Sequence, residues 1–139
     1  MSYRRWIAPT LLSFVALLTL ACSAAAGDAE PFSAARFEAL QKQEALVLVD
    51  VAADWCPTCA RQASIVRDYK AARPNVELAV LRVDFDDQKE WVKHFKAPRQ
   101  STLILFRGRE QVWFAVAETD PGVIAAAIDS AAAERSAKR

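Results

Sequence analysis

Two thiols three residues apart, Cys56 and Cys59, enclose Pro57 and Thr58 and follow directly on Trp55. Cysteines at this spacing suit two kinds of chemistry: reversible dithiol–disulfide exchange, or half of a four-ligand metal site. Position separates the two. The motif lies between a buried-strand pattern and a helical one, which puts Cys56 at a helix start. Unpaired backbone N–H groups and the helix dipole there favour an anion, so the Cys56 thiol is expected to ionise easily. Cys59 lies one turn further on, close enough to Cys56 to resolve a mixed disulfide. Pro57 takes the first helical position, where its missing N–H costs nothing, and Thr58 is within reach of a sulfur. Zinc would need two further ligands, and the chain has no second cysteine pair and a single histidine, His94, in an amphipathic segment. No metal ligand is therefore assigned. An inert local staple is the other alternative, though so short a bridge constrains the unfolded chain little.

Asp50 is the second residue of interest, because it interrupts the apolar run 46–51. Burial raises a carboxyl's pKa, so Asp50 is expected to exchange protons near neutrality beneath the Cys59 side of the motif. The alternative is a strand-end aspartate that caps loop backbone.

The surrounding elements follow from periodicity. Residues 45–51 form a continuous apolar, β-branched run, the pattern of a strand buried on both faces. A short helix opens around Pro31-Phe32-Ser33, with Phe37 and Leu40 on one face. Beyond Cys56 helical spacing puts Ile65, Val66 and Tyr69 inward and Arg61, Arg67, Asp68 and Lys70 outward, until Pro74-Asn75. Residues 76–84 read as a second strand and 87–95 as a short helix burying Trp91, Val92 and Phe95. Strands over 102–106 and 111–116 make a hairpin about a turn at 107–110. Asp120 caps a last helix that begins at Pro121 and runs to about Glu134, with 136–139 fraying. The order α-β-α-β-α-β-β-α predicts an α/β fold, a central mixed sheet with a C-terminal β-hairpin and helices on both faces.

Ahead of this domain stands a segment of different character. Arg4 and Arg5 precede an uncharged stretch from Trp6 to Gly27 with an apolar centre, followed by Ala24-Ala25-Ala26. A basic start, an apolar middle and a small-residue exit make a secretory signal over 1–26, leaving 27–139 as the folded domain. Cleavage after Ala26 is one fate. Leu18-Thr19-Leu20-Ala21-Cys22 resembles a bacterial lipobox, and cleavage before Cys22 would leave that cysteine lipidated. An uncleaved anchor is the third, disfavoured by Pro9 and the small-residue tail. Each exports the domain.

Composition narrows the partners. The 139 residues are 53% hydrophobic and 25% charged, with a net charge of +1. That is ordinary for one globular domain, and no basic stripe suggests nucleic-acid binding. Three cysteines are too few for a disulfide-built miniprotein.

The run Leu46-Val47-Leu48-Val49-Asp50, followed by Ala53-Asp54-Trp55-Cys56-Pro57-Thr58-Cys59, resembles the first central strand and active site of the thioredoxin family. Ser101-Thr102-Leu103-Ile104-Leu105-Phe106 with Gly108 and Glu110 is similar to its later strand and hairpin. The resemblance implies a thioredoxin fold. It also implies Cys56 as attacking thiolate, Cys59 as resolving thiol, a Cys56–Cys59 redox disulfide, Asp50 as buried proton acceptor, and Trp55, Pro57, Thr58, Ser101 and Thr102 around the active-site and substrate surface. Four positions depart from the family pattern. Ser101 stands where a cis-proline is usual, and a cis bond before a non-proline costs about 3 kcal/mol, so Gln100–Ser101 is expected to be trans. Pro98 is a substitute only if the loop shifts register. Ser64 replaces a helix-kinking proline, Ala52 a common aromatic, and Val80 a lysine that often neighbours the buried aspartate, whose pKa should then be higher still.

These features predict a thiol–disulfide oxidoreductase of the bacterial periplasm, soluble or lipid-anchored, monomeric and without cofactor. Its expected partners are disulfide or dithiol client proteins and a membrane electron-transfer protein. Reduction is favoured over oxidation, because no histidine lies between the cysteines. The alternative is a non-catalytic metal-handling or client-binding module, in which Ser101 opens the cysteines to solvent.

Overall fold

A computed structural model describes residues 29–137. The expected secretory segment over 1–26, its two cleavage points and Cys22 lie outside the described residues, as do Lys138 and Arg139.

The central strand, β2 (Leu46–Ala52), is buried at every position. Alternation along it sorts two cores. Val47, Val49 and Val51 pack with Phe32, Phe37, Leu40, Val92 and Phe95. Leu46 and Leu48 pack with Val66, Tyr69, Ile124 and Ile128. The first layer belongs to α1 (Ala34–Lys42) and α3 (Lys89–His94), and the second to α2 (Pro57–Ala72) and α4 (Pro121–Ala137). Helices thus cover both faces, as the element order requires.

Strand β3 (Leu78–Asp84) runs parallel to β2, with α2 as the crossover between them. On the other side β4 (Thr102–Arg107) pairs antiparallel with β2, and β5 (Glu110–Val116) antiparallel with β4. The sheet order is β1-β3-β2-β4-β5. Its first member, β1 (Glu30–Pro31), is an element that periodicity did not reveal. Two residues carry no alternation, and their strand character comes from parallel pairing with Leu81 and Arg82 of β3.

Local chemistry sets the boundaries. Ser33 Oγ accepts from Arg36 N at 3.3 Å and starts α1. Asp120 Oδ1 accepts from Gly122 N at 2.7 Å and Val123 N at 3.2 Å, capping α4 as expected. Helix α3 is shorter than the 87–95 expected, because Asp84 Oδ1 accepts from Asp86 N and Asp87 N, both at 2.8 Å, and folds that stretch into a turn. Helix α4 continues to Ala137 instead of ending at Glu134, in keeping with the high helix propensity of its alanines.

Candidate functional site

The Cys56-Pro57-Thr58-Cys59 motif sits where β2 ends and α2 begins. Cys56 is the N-cap, with extended backbone, and Pro57 is the first helical residue. The cap is a sulfur: Cys56 Sγ accepts from Cys59 N at 3.2 Å. Both thiols are buried, Cys56 4% and Cys59 3% exposed, against Ala52, Ala53 and Phe85.

The two thiols differ in acidity. Burial works against ionisation of Cys56, but hydrogen bonds from the Cys59 thiol, the Ser101 hydroxyl and the N–H groups of Cys59 and Thr58 outweigh it and hold its pKa below the ordinary thiol value. Burial pushes the Cys59 thiol up, and its hydrogen bond to Cys56 pushes it further. Ionisation is thus favoured at Cys56 and disfavoured at Cys59. Thr58 contributes through its backbone N–H, not through the side chain expected to reach a sulfur.

Ser101 faces the pair from the start of β4. Its Oγ lies 3.1 Å from Cys56 Sγ and 3.2 Å from Cys59 Sγ. No peptide bond among the described residues is cis, so Gln100–Ser101 is trans as expected. The loop has not shifted register, since Ser101 and not the exposed Pro98 meets the sulfurs. Instead the backbone bends at Ser101 itself, with φ of 62°. For a residue with a Cβ this left-handed conformation costs about 1–2 kcal/mol. Ser101 is wholly buried, which corrects the expectation that it opens the cysteines to solvent. Thr102 is likewise buried, its hydroxyl donating to Arg99 O at 2.7 Å. It shapes the loop, and its side chain lacks the exposure expected of a substrate surface.

Two residues that sequence reasoning passed over complete this end of the site. Gln62 of α2 is fully buried, and its amide donates to Ser101 O at 3.2 Å and Glu118 O at 2.9 Å. A polar residue on an inward helical position was the available signal. Asp86 accepts from Trp55 Nε1 at 2.7 Å and holds the indole upright, leaving Trp55 62% exposed beside the motif. The expected surface role of Trp55 has the exposure it needs.

Asp50 is buried on the α2 face of β2, and burial raises its pKa to about 6. The shift is opposed by Arg82, its register partner on β3. A cation two residues along β3 thus takes part of the role that Val80 leaves open. Asp50 Oδ1 makes no hydrogen bond among the described residues. The side chain borders a cavity of about 60 Å³ that Leu48, Ala63, Val66 and Val80 also line. His94 is exposed on α3, edge-on to Trp91 and Phe95.

Comparison with known proteins agrees with this architecture. The Thioredoxin family model matches residues 29–130. Among solved structures, Trxlp from Edwardsiella tarda is 40% identical with a TM-score of 0.67, covering 71% of this chain and 96% of that one. The thioredoxin of Malassezia sympodialis, 19% identical with a TM-score of 0.65 over 76% of this chain and 94% of its own, shares the fold. Among curated relatives, the thioredoxin of Chlamydia trachomatis is 31% identical over 67 residues, 48% of this chain and 64% of its own length. The bifunctional thioredoxin reductase/thioredoxin of Mycobacterium leprae is 33% identical over 66 residues, 48% of this chain and 14% of its own. The chain spans less than two thirds of the length of these two curated relatives. With the family model matched across nearly all of the described residues, and with an acidic Cys56 paired to Cys59 at the head of α2, the chain belongs to the thioredoxin family.

Proposed function

We propose that the protein is a thiol–disulfide oxidoreductase acting on protein disulfides through Cys56 and Cys59. The observation that carries this is the placing of two adjacent buried thiols at one helix N-terminus, with Cys56 Sγ accepting from Cys59 N at 3.2 Å. The Cys56 thiolate attacks a client disulfide, forms a mixed disulfide and releases one client sulfur as thiolate. Cys59 then loses its proton and attacks Cys56 Sγ, which releases the second client sulfur and closes the Cys56–Cys59 bridge. The client gains two electrons and the protein loses two. Asp50, titrating near neutrality on the α2 face of the sheet, is suited to receive the Cys59 proton.

The leader-like composition of 1–26 supports a place in the bacterial periplasm, soluble or held by a lipid on Cys22. Outside the cytosol a reductase needs electrons from a membrane partner, and we take reduction by a monomeric domain as the working direction. In the rival reading, a metal-handling or client-binding module, the metal-handling part drew its support from exposed cysteines, and both are buried.

The test is equilibration of residues 27–139 against glutathione buffers. A midpoint near −270 mV supports a reductase and one near −120 mV an oxidase, the values of thioredoxin and of a strong periplasmic oxidant. Failure to exchange reversibly rejects both. In cells, Cys59→Ser should trap client proteins on Cys56, and a trap that stays empty counts against catalysis.

A further inference from the structure

Ser101 contacts both reacting sulfurs at nearly equal distance, 3.1 Å to Cys56 and 3.2 Å to Cys59. A hydroxyl has one proton to donate and two lone pairs to accept with. It therefore serves one sulfur as donor at a time, and a hydrogen bond to a charged sulfur is stronger than one to a neutral sulfur. The apolar residues packed with the sulfurs, Ala52, Ala53 and Phe85, have no side-chain donor.

The surroundings hold this hydroxyl in place at a cost. Ser101 is in the left-handed region at φ 62°, and so is its neighbour Ala117 at φ 55°, across the ends of β4 and β5. Ala117 N donates to Ser101 O at 2.7 Å, and Gln62 Nε2 donates to the same oxygen at 3.2 Å. Strain of this kind persists where neighbouring bonds over-determine it, and it gathers at functional sites. Here two donors fix the carbonyl of the residue whose side chain meets the sulfurs.

We propose that Ser101 is a third catalytic residue, a hydrogen-bond donor that follows the negative charge from one sulfur to the other. In the dithiol state its O–H donates to the Cys56 thiolate. Once Cys56 is bonded to a client sulfur it is neutral, and the hydroxyl turns to Cys59, stabilising the thiolate that forms there as its proton leaves to solvent or to Asp50. Cys59 then attacks Cys56 Sγ and the client thiolate departs. Bonds and electrons are those of ordinary exchange, and Ser101 ends with its own proton. Proline, lacking a side-chain donor, has no such role. This inference rests on the exchange activity proposed above and adds a residue to it.

Two variants and one disulfide reagent test it. Ser101→Gly removes the hydroxyl and suits the left-handed backbone, whereas Ser101→Ala removes it and keeps the strain. Thiolate absorbance at 240 nm should show Cys56 titrating about one unit higher in both. With dithiobis(nitrobenzoate), the first thionitrobenzoate released reports attack by Cys56, and the second reports attack by Cys59. Both phases should slow in both variants, by up to about tenfold at neutral pH. An unmoved titration in both, or a shift in Ser101→Ala alone, overturns the role of the hydroxyl. A slowed first phase with an unchanged second overturns the hand-over to Cys59. If the native protein releases no second thionitrobenzoate, the exchange reading itself fails, while the titration still reports on Ser101 and Cys56.

Discussion

Asp50 and Arg82 are register partners across the parallel β2–β3 pair, and the Arg82 guanidinium reaches Asp54 at 2.6 Å on the surface. Burial and this cation act in opposite directions on Asp50 and leave its pKa at about 6. Replacing the cation by an apolar chain of similar length removes the opposing influence on Asp50, along with the pairing to Asp54. Arg82→Met should move the Asp50 titration above 6, read from its carboxyl carbon shift by NMR. An unchanged midpoint would mean that the charge is too well screened by Asp54 and solvent to matter.

The same raised pKa links stability to pH. Asp50 has an ordinary value of 3.8 and a folded value of about 6. Between these the folded state binds more protons than the unfolded, so this group's contribution to stability falls as pH rises through that window, then levels off. Two pKa units correspond to about 3 kcal/mol. Asp50→Asn should therefore stabilise the fold by up to about 3 kcal/mol above pH 7 and by little near pH 4, measured by urea unfolding at both pH values. Equal effects at the two would exclude burial of charge as the cause.

Much of this was legible because the signals were local. The spacing of Cys56 and Cys59, the apolar run of β2 and the Asp120-Pro121 cap each carry their meaning within a few residues, and each lies where expected. What escaped was produced by contacts distant in sequence. Strand β1 exists through its pairing with β3. Ser101 is buried because α2 and the Glu118 segment close over it through Gln62, and Thr102 folds back on Arg99 where a substrate surface was expected. Trp55 was readable as an exposed aromatic, but Asp86 as its holder was not, since 31 residues separate the two.

That indole gives a prediction about clients. Trp55 is 62% exposed and attached to the domain by its bond to Asp86, so it packs little and Trp55→Ala should change stability by no more than about 0.5 kcal/mol. If the ring forms part of the surface that meets a folded client, reduction of a protein disulfide should slow at least tenfold in this variant, while exchange with a small reagent changes by less than threefold. Asp86→Ala, which frees the ring without deleting it, should fall between. Equal slowing of both substrates would place the effect on the sulfurs and not on the client.

Gln62 separates packing from positioning. Its side chain is fully buried, its amide N–H groups reach Ser101 O and Glu118 O, and its own Oε1 has no hydrogen-bond partner among the described residues. Gln62→Leu keeps most of the volume and removes the unpartnered oxygen, which offsets the loss to Glu118 O, so stability should change by less than about 1.5 kcal/mol. Gln62→Ala leaves a cavity as well and should cost about 3 kcal/mol. Both variants free Ser101 from one of the two donors that hold its carbonyl, the other being Ala117 N. The Cys56 titration should then rise in both by a similar amount, despite the unequal stabilities. A titration that tracks stability instead, moving in Gln62→Ala and not in Gln62→Leu, would make Gln62 a packing residue and leave the placement of Ser101 to Ala117.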